Sequence, residues 1–166
     1  MVLIVYYNVD KYYIMNFRKS TIGDVDFILR GIIEIYNIEN VLVDVELEKN
    51  NIINAISTID NTWIIIAENE SQKLGFVWFI NTNKCFFGVD YTPMDENYIW
   101  ISSTWTDPAH RNKNVASQLY QCVIDKAKEL NVKKIWLNIY NSNKKSIDFY
   151  TKKGFAPEIT LFSLDI

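Results

Sequence analysis

Residues 98–130 constrain the fold more than any other stretch, because the pattern of apolar residues changes period there. Tyr98 to Thr106 is rich in aromatic and β-branched residues and reads as a strand. It stops at Asp107-Pro108, since proline cannot continue a hydrogen-bonded ladder. Val115, Leu119, Cys122, Val123, Ala127 and Leu130 then recur at helical spacing. Lys134 to Tyr140 returns to strand character. Two strands joined through a helix are expected to pair in parallel or to splay apart.

The remaining segments extend this alternation. Tyr12 to Arg18 reads as a strand, and Val25, Ile28, Leu29, Ile32, Ile33 and Tyr36 mark a helix from Asp24 onward. Leu47 to Ile59 is a weaker amphipathic helix. Trp63 to Ala67 and Leu74 to Ile80 flank the polar turn Glu68 to Lys73 and predict a hairpin. Lys84 to Glu96 is a longer connection. Lys144 to Lys153 reads as a short helix closed by Gly154, and Ile159 to Leu164 as a last strand. The fold class is α/β, a mixed central sheet with flanking helices. No repeat, linker or charge block divides residues 1–166, so a single domain is expected, with residues 1–14 as an N-terminal extension.

Composition removes several function classes. The chain of 166 residues is 49% apolar, which argues against intrinsic disorder. Its net charge of −3 is a poor match to nucleic acid, where clustered cations must neutralise phosphates. Cys85 and Cys122 form no CxxC, and a lone His110 leaves no metal-ligand cluster, so no metal is expected. No apolar run reaches the ~20 residues of a membrane span, and Met1 to Tyr7 lacks the basic region of a signal peptide. A cytoplasmic setting is the expectation. The five glycines fall at 23, 31, 75, 88 and 154, so any phosphate loop must form largely without them.

The segment from Thr106 to Ser117 carries the chemistry. A strand-to-helix loop aims backbone N–H groups at one point, with the positive end of the helix dipole behind them. Such a site suits a phosphate or pyrophosphate, and Arg111 and Lys113 add positive charge. An ordinary polar loop capped by Asn112 or Asn114 is the plainer alternative.

Asp107 to Ala116 resembles the acetyl-CoA signature of the GNAT superfamily of N-acetyltransferases, V-x-P-x-x-R-G-x-G-x-A, through Pro108, Arg111 and Ala116. A second family pattern, L-x-V-x-x-x-N-x-x-A-x-x-x-Y-x-x-x-G-F, is met by Leu137, Ile139, Asn143, Ser146, Tyr150, Gly154 and Phe155. The order of elements from Tyr12 through Phe155 is also similar to the family's.

The resemblance implies that acetyl-CoA is the co-substrate and an amine the acceptor. Strands Tyr98–Thr106 and Lys134–Tyr140 would splay, and the pantetheine arm would bond to the backbone of Thr104, Trp105 and Thr106. The amides of Arg111, Asn112, Lys113, Asn114, Val115, Ala116 and Ser117 would hold the pyrophosphate. Asn143 would bind the pantetheine portion, and Tyr150 would stand beside the thioester sulfur as general acid. The amine would attack the thioester directly, with a backbone N–H steadying the oxyanion. A phenol of ordinary pKa ~10 lies above a thiol's ~8.5, so full proton transfer is uphill by roughly 2 kcal/mol.

Three departures from the family pattern matter. Asn112 and Asn114 stand where the family prefers glycine, and asparagine is the other residue that readily accepts positive φ. Asn138 follows Leu137 where relatives that acetylate protein N-termini often carry a glutamate base, which leaves a water relay or an acid from another element, such as Asp90, Asp95 or Glu96, to serve instead. The tail after Phe155 has room for about one strand where the family commonly has two.

Other residues admit ordinary readings. Cys122 lies on the apolar face of its helix, and Cys85 has no predicted histidine partner. Lys144, Lys145, Lys152 and Lys153 read as a solvated face. Glu34, Glu39, Asp44, Glu46 and Glu48 cluster where the resemblance implies the acceptor, although an acidic surface is the plainer account. All five tryptophans fall in predicted strands as core or pocket walls. Val2 to Tyr7 could pair with a second copy as an edge strand, giving a homodimer. The expected function is acetyl transfer to a primary amine of a small molecule or peptide. The rival is a non-catalytic binding module that keeps this fold with a weakened cofactor loop.

Overall fold

The computed structural model describes residues 2–7, 11–57, 60–70, 72–83 and 96–158, with side-chain surroundings from residue 14 onward. The last strand expected at 159–164, Cys85, Asp90 and Asp95 lie outside the described residues. Among the described residues, six strands lie in sequence order in one mixed sheet. They are β1 (Val2–Tyr7), β2 (Lys11–Lys19), β3 (Thr62–Glu68), β4 (Lys73–Thr82), β5 (Tyr98–Thr106) and β6 (Ile135–Leu137). The first five are antiparallel neighbours, whereas β6 runs parallel to β5. Residues 2–7, expected as an extension, join the sheet through β2 from Val2↔Asn16 to Tyr7↔Lys11.

The described α-helices cover the two faces: α1 (Val25–Glu39), α2 (Val45–Ser57), α3 (Val115–Glu129) and α4 (Lys144–Lys152). On one face Val25, Ile28, Ile32, Ile52 and Ala55 of α1 and α2 bury against Ile64, Ile66, Phe76, Trp78 and Trp105. On the other, Val115, Leu119, Val123 and Ala127 of α3, with Tyr150 of α4, meet Val77, Phe79, Ile99 and Ile101. Alternate strand residues thus face opposite layers, as the period of two requires. Gly31 lets α1 reach the sheet: a Cβ there would lie 2.5 Å from Phe76 and 2.7 Å from Trp105. The ends of α1 and α4 have local causes. Asn40 closes α1 in the left-handed conformation at φ 56°, and Gly154 follows α4 at φ +92°.

One irregularity positions everything that follows. Trp78 pairs with Ser103 but Phe79 with Ile101, so Ser102 is an extra residue on β5. This β-bulge shifts the strand's alternation by one. Ile99 and Ile101 face α3, yet Trp105 turns to α1 and Thr104 to α4. The bulge also explains a correction. A strand was expected over Lys134–Tyr140, but β6 pairs only through Ile99↔Ile135, Trp100↔Trp136 and Ile101↔Leu137. Pairing stops one residue before the bulge, where β5 bends away and the later residues have no ladder to join.

Candidate functional site

Where β5 and β6 part, a cleft opens through the sheet. Ser102, Ser103 and Thr104 line one side, and Leu137, Asn138 and Ile139 the other. Ile35 and Glu39 of α1 reach it from one layer, and Asn143, Ser146 and Tyr150 from the other. Past Ile101, the β5 backbone has no strand partner on this side among the described residues. It therefore offers free main-chain polar groups to an extended ligand.

Tyr150 stands in this cleft because α4 packs it edge-on against Phe155, with ring centroids 5.3 Å apart, and against Tyr120 at 6.5 Å. Its hydroxyl donates to Thr104 Oγ1 at 2.9 Å, a contact that needs the shifted alternation of β5. Burial pushes the phenol up to about 12, against a smaller opposing pull from the Thr104 bond. Asn143 is the N-cap of α4: its Oδ1 accepts from the Ser146 amide at 3.3 Å. Its Nδ2 donates to Glu39 Oε1 at 3.1 Å. Burial raises the Glu39 carboxyl, and the Asn143 bond acts the other way.

The loop after β5 is built by different means. Pro108–His110 forms a short 3₁₀ turn, capped by Asp107, whose side chain accepts from the Ala109 amide at 3.0 Å. Asn112 and Asn114 then adopt φ 62° and 65°. These left-handed conformations turn the chain into α3 where glycine would otherwise serve. By helix geometry, the first-turn amides of α3, beginning at Val115, have no acceptor within the helix. Arg111 is turned toward α1. Its Nη2 pairs with Glu34, its Nε donates to the Thr106 carbonyl at 3.1 Å, and its amide donates to the Pro108 carbonyl at 3.4 Å. Glu34 also accepts from Trp105 Nε1 at 2.9 Å. Lys113 Nζ donates to the Ala109 carbonyl at 3.0 Å.

The structure thus brings Thr104, Asn143 and Tyr150 together across one cleft, with Asn112 to Ser117 in the adjoining loop. Trp105 does not line the cleft: its ring packs beneath α1, and along β5 it pairs with Phe76 of β4. His110 is buried rather than presented to the loop. Cys122 is half-buried, and burial pushes its thiol up to about 11, far from a nucleophile's range. Glu96 is exposed, precedes β5 and is not among the residues that line the cleft. Nothing in the sequence sets Glu39 apart from its acidic neighbours Glu34, Asp44, Glu46 and Glu48. Its helical period shows that it lies on α1, but not that α1 ends beside Asn143.

Among the described residues, no three metal-ligating side chains converge, and no helix is long and apolar enough to cross a membrane. The fold has many solved counterparts. A tetramutant of the BH1408 protein from Bacillus halodurans is 14% identical, with a TM-score of 0.79 over 91% of this chain and 99% of that one. A predicted acetyltransferase with acetyl-CoA from Clostridium acetobutylicum is 20% identical, with a TM-score of 0.69 over 91% and 96%. An aminoglycoside antibiotic N-acetyltransferase from Acinetobacter haemolyticus is 14% identical, with a TM-score of 0.71 over 91% and 99%. No curated protein sequence matches the chain significantly. The acetyltransferase (GNAT) family pattern matches residues 30–155, from α1 through α4 to Phe155. The chain belongs to the GNAT acetyltransferase family.

Proposed function

We infer that the protein transfers an acetyl group from acetyl-CoA to a primary amine of a small molecule or peptide, by direct attack of the amine on the thioester. The observation that carries this reading is the cleft itself: unpaired β5 backbone, a buried tyrosine hydroxyl and a capped helix meet where two parallel strands separate. The fit of the co-substrate is chemical. An extended amide-bearing arm matches the β5 main chain at Thr104, on the side that has no strand partner among the described residues. A pyrophosphate matches the amides from Asn112 to Ser117 at the positive end of α3. The Arg111 side chain, paired with Glu34, serves to hold this loop against α1. Asn143 positions α4 and faces the arm. The acetyl-CoA named with the Clostridium acetobutylicum structure and the amine-acetylating name of the Acinetobacter haemolyticus protein support the same class of reaction.

Tyr150 sits beside the departing sulfur in this reading. With its pKa near 12 against ~8.5 for a thiol, surrendering the proton outright would cost roughly 5 kcal/mol. The tyrosine therefore acts by holding a hydrogen bond to the sulfur as charge develops there. A backbone N–H of β5 steadies the oxyanion.

The test is thiol release from acetyl-CoA across a panel of amines, with Tyr150→Phe run beside the wild type. Turnover of at least one amine, with a large loss in the variant, is the expected outcome. Equal turnover by the two proteins overturns the role of Tyr150. If calorimetry detects no binding of millimolar acetyl-CoA, the reading as a whole is overturned.

A further inference from the structure

We propose that Glu39 binds the ammonium group of the acceptor and removes its proton, so that the acceptor is a cationic aliphatic amine approaching from the α1 side of the cleft. The inference rests on the acetyltransferase reading and adds to it the proton acceptor and the charge of the substrate.

Three observations converge on this residue. First, Glu39 is the last residue of α1 and lines the same cleft as Thr104, Asn138 and Tyr150. It enters from the layer opposite α4, which carries Tyr150, so the two groups flank the gap between the strands from its two faces. Second, its carboxylate has a hydrogen-bond donor but no cation. Asn143 Nδ2 donates to Oε1, and among the described residues no Lys, Arg or His pairs with it. Glu34, on the same helix, is satisfied by Arg111 and Trp105 instead. A partly buried carboxylate without a cation is an open position for one. Third, the neighbourhood is negative. Tyr36 donates to Glu48 Oε1 at 3.2 Å, and its pKa is pushed up to about 12 by burial first and then by Glu48 and Glu39.

The chemistry requires a base at this place. At neutral pH an aliphatic amine is an ammonium ion and cannot attack until one proton leaves. Asn138, on the strand side of the cleft, has no basic atom to take it. Glu39 does, and burial moves its carboxyl toward the range a general base needs. The nitrogen–carbon bond then forms as the carbon–sulfur bond breaks. Of the two protons the ammonium loses, one passes through Glu39 to solvent and the other reaches the released thiolate through water. The products are the amide and the free thiol.

The test uses the full chain and Glu39→Gln, which keeps an oxygen for Asn143 to bond and removes only the charge. Steady-state rates are measured with 1,4-diaminobutane, a cation at neutral pH, and with hydroxylamine, which is largely neutral there. Glu39→Gln is expected to raise KM for the diamine at least tenfold and to lower kcat/KM about a hundredfold. The loss with hydroxylamine should be under tenfold. The acid limb of the wild-type pH profile should disappear in the variant, and acetyl-CoA affinity by calorimetry should not change. Diamine kinetics that survive the substitution, or an equal loss with both nucleophiles, overturn the proposal while leaving the acetyltransferase reading intact. A wild-type protein that binds no acetyl-CoA defeats that reading, and this inference with it.

Discussion

The loop entering α3 and the cleft between β5 and β6 both begin at the end of β5, yet they are assembled by opposite means. The loop is contiguous in sequence, and its shape comes from the backbone: Asn112 and Asn114 at positive φ, a 3₁₀ turn, and the start of a helix. Its long-range side-chain ties both run to α1, from Arg111 to Glu34 and from Asp107 to Arg30. The cleft comes from side chains far apart in the chain. Glu39 and Asn143 meet across 104 positions, and Tyr150 and Thr104 across 46. A backbone-built site should tolerate any residue that keeps its dihedrals, whereas a side-chain site should fail on the loss of a single atom.

Tyr150→Phe tests that contrast most severely, because it removes one oxygen and little else. With the ring still packed against Phe155 and Tyr120, kcat is expected to fall by about a hundredfold or more, in the range of lost proton-handling groups. Acetyl-CoA affinity, which the proposed reading assigns mainly to the loop, should hold. An equal loss of affinity would mean that cleft and loop bind as one unit.

Much of the loop was legible because it is local. Pro108 ends a strand, Val115 begins a helical period, and asparagine at 112 and 114 announces positive φ without any knowledge of the rest. The bounds expected for β5, Tyr98–Thr106, hold in the structure for the same reason. The cleft was legible only in part. Tyr150 and Asn143 stand out through the resemblance to the family pattern that ends at Gly154 and Phe155, but the early end of β6 did not. That end depends on Ser102, whose bulge is set by pairing with β4 and leaves no trace in local composition. Glu39 was hidden by the same limit: a helical pattern tells which face is buried, not which neighbour the helix end meets.

Alkaline titration separates the regions through stability rather than rate. The phenol of Tyr150 stays neutral in the folded protein to about pH 12, whereas in the unfolded chain it ionises near 10. A raised acid pKa contributes stability that is intact below pH 10 and is lost as pH rises toward 12. Two units correspond to about 3 kcal/mol. Denaturant unfolding should therefore show a steeper loss between pH 10 and 12 in the wild type than in Tyr150→Phe. Tyr36 and Tyr120, also raised by burial, remain in both. Parallel pH curves would place Tyr150 in a wetter setting than the cleft provides.

In the loop, the smaller effects should follow the backbone. Asn114→Ala forces a residue with a Cβ, but without asparagine's local polar contacts, to hold φ 65°, at a cost of about 1–2 kcal/mol. Acetyl-CoA affinity should weaken by up to roughly tenfold where binding must restore the turn, with kcat little changed. A large fall in kcat at unchanged affinity would instead make the loop part of the catalytic apparatus.

Asn112→Gly/Asn114→Gly should do least, and its sign is the informative part. Glycine accepts positive φ without strain, so folded stability should stay within about 0.5 kcal/mol of the wild type. Removing two side chains also lets a phosphate come closer to the amides, so acetyl-CoA should bind as well or a few-fold tighter in calorimetry. Weaker binding would show that the asparagine amides themselves touch the phosphates. The loop would then be a side-chain site like the cleft, and its lack of glycine would be a specific choice of donors rather than another way to make the same turn.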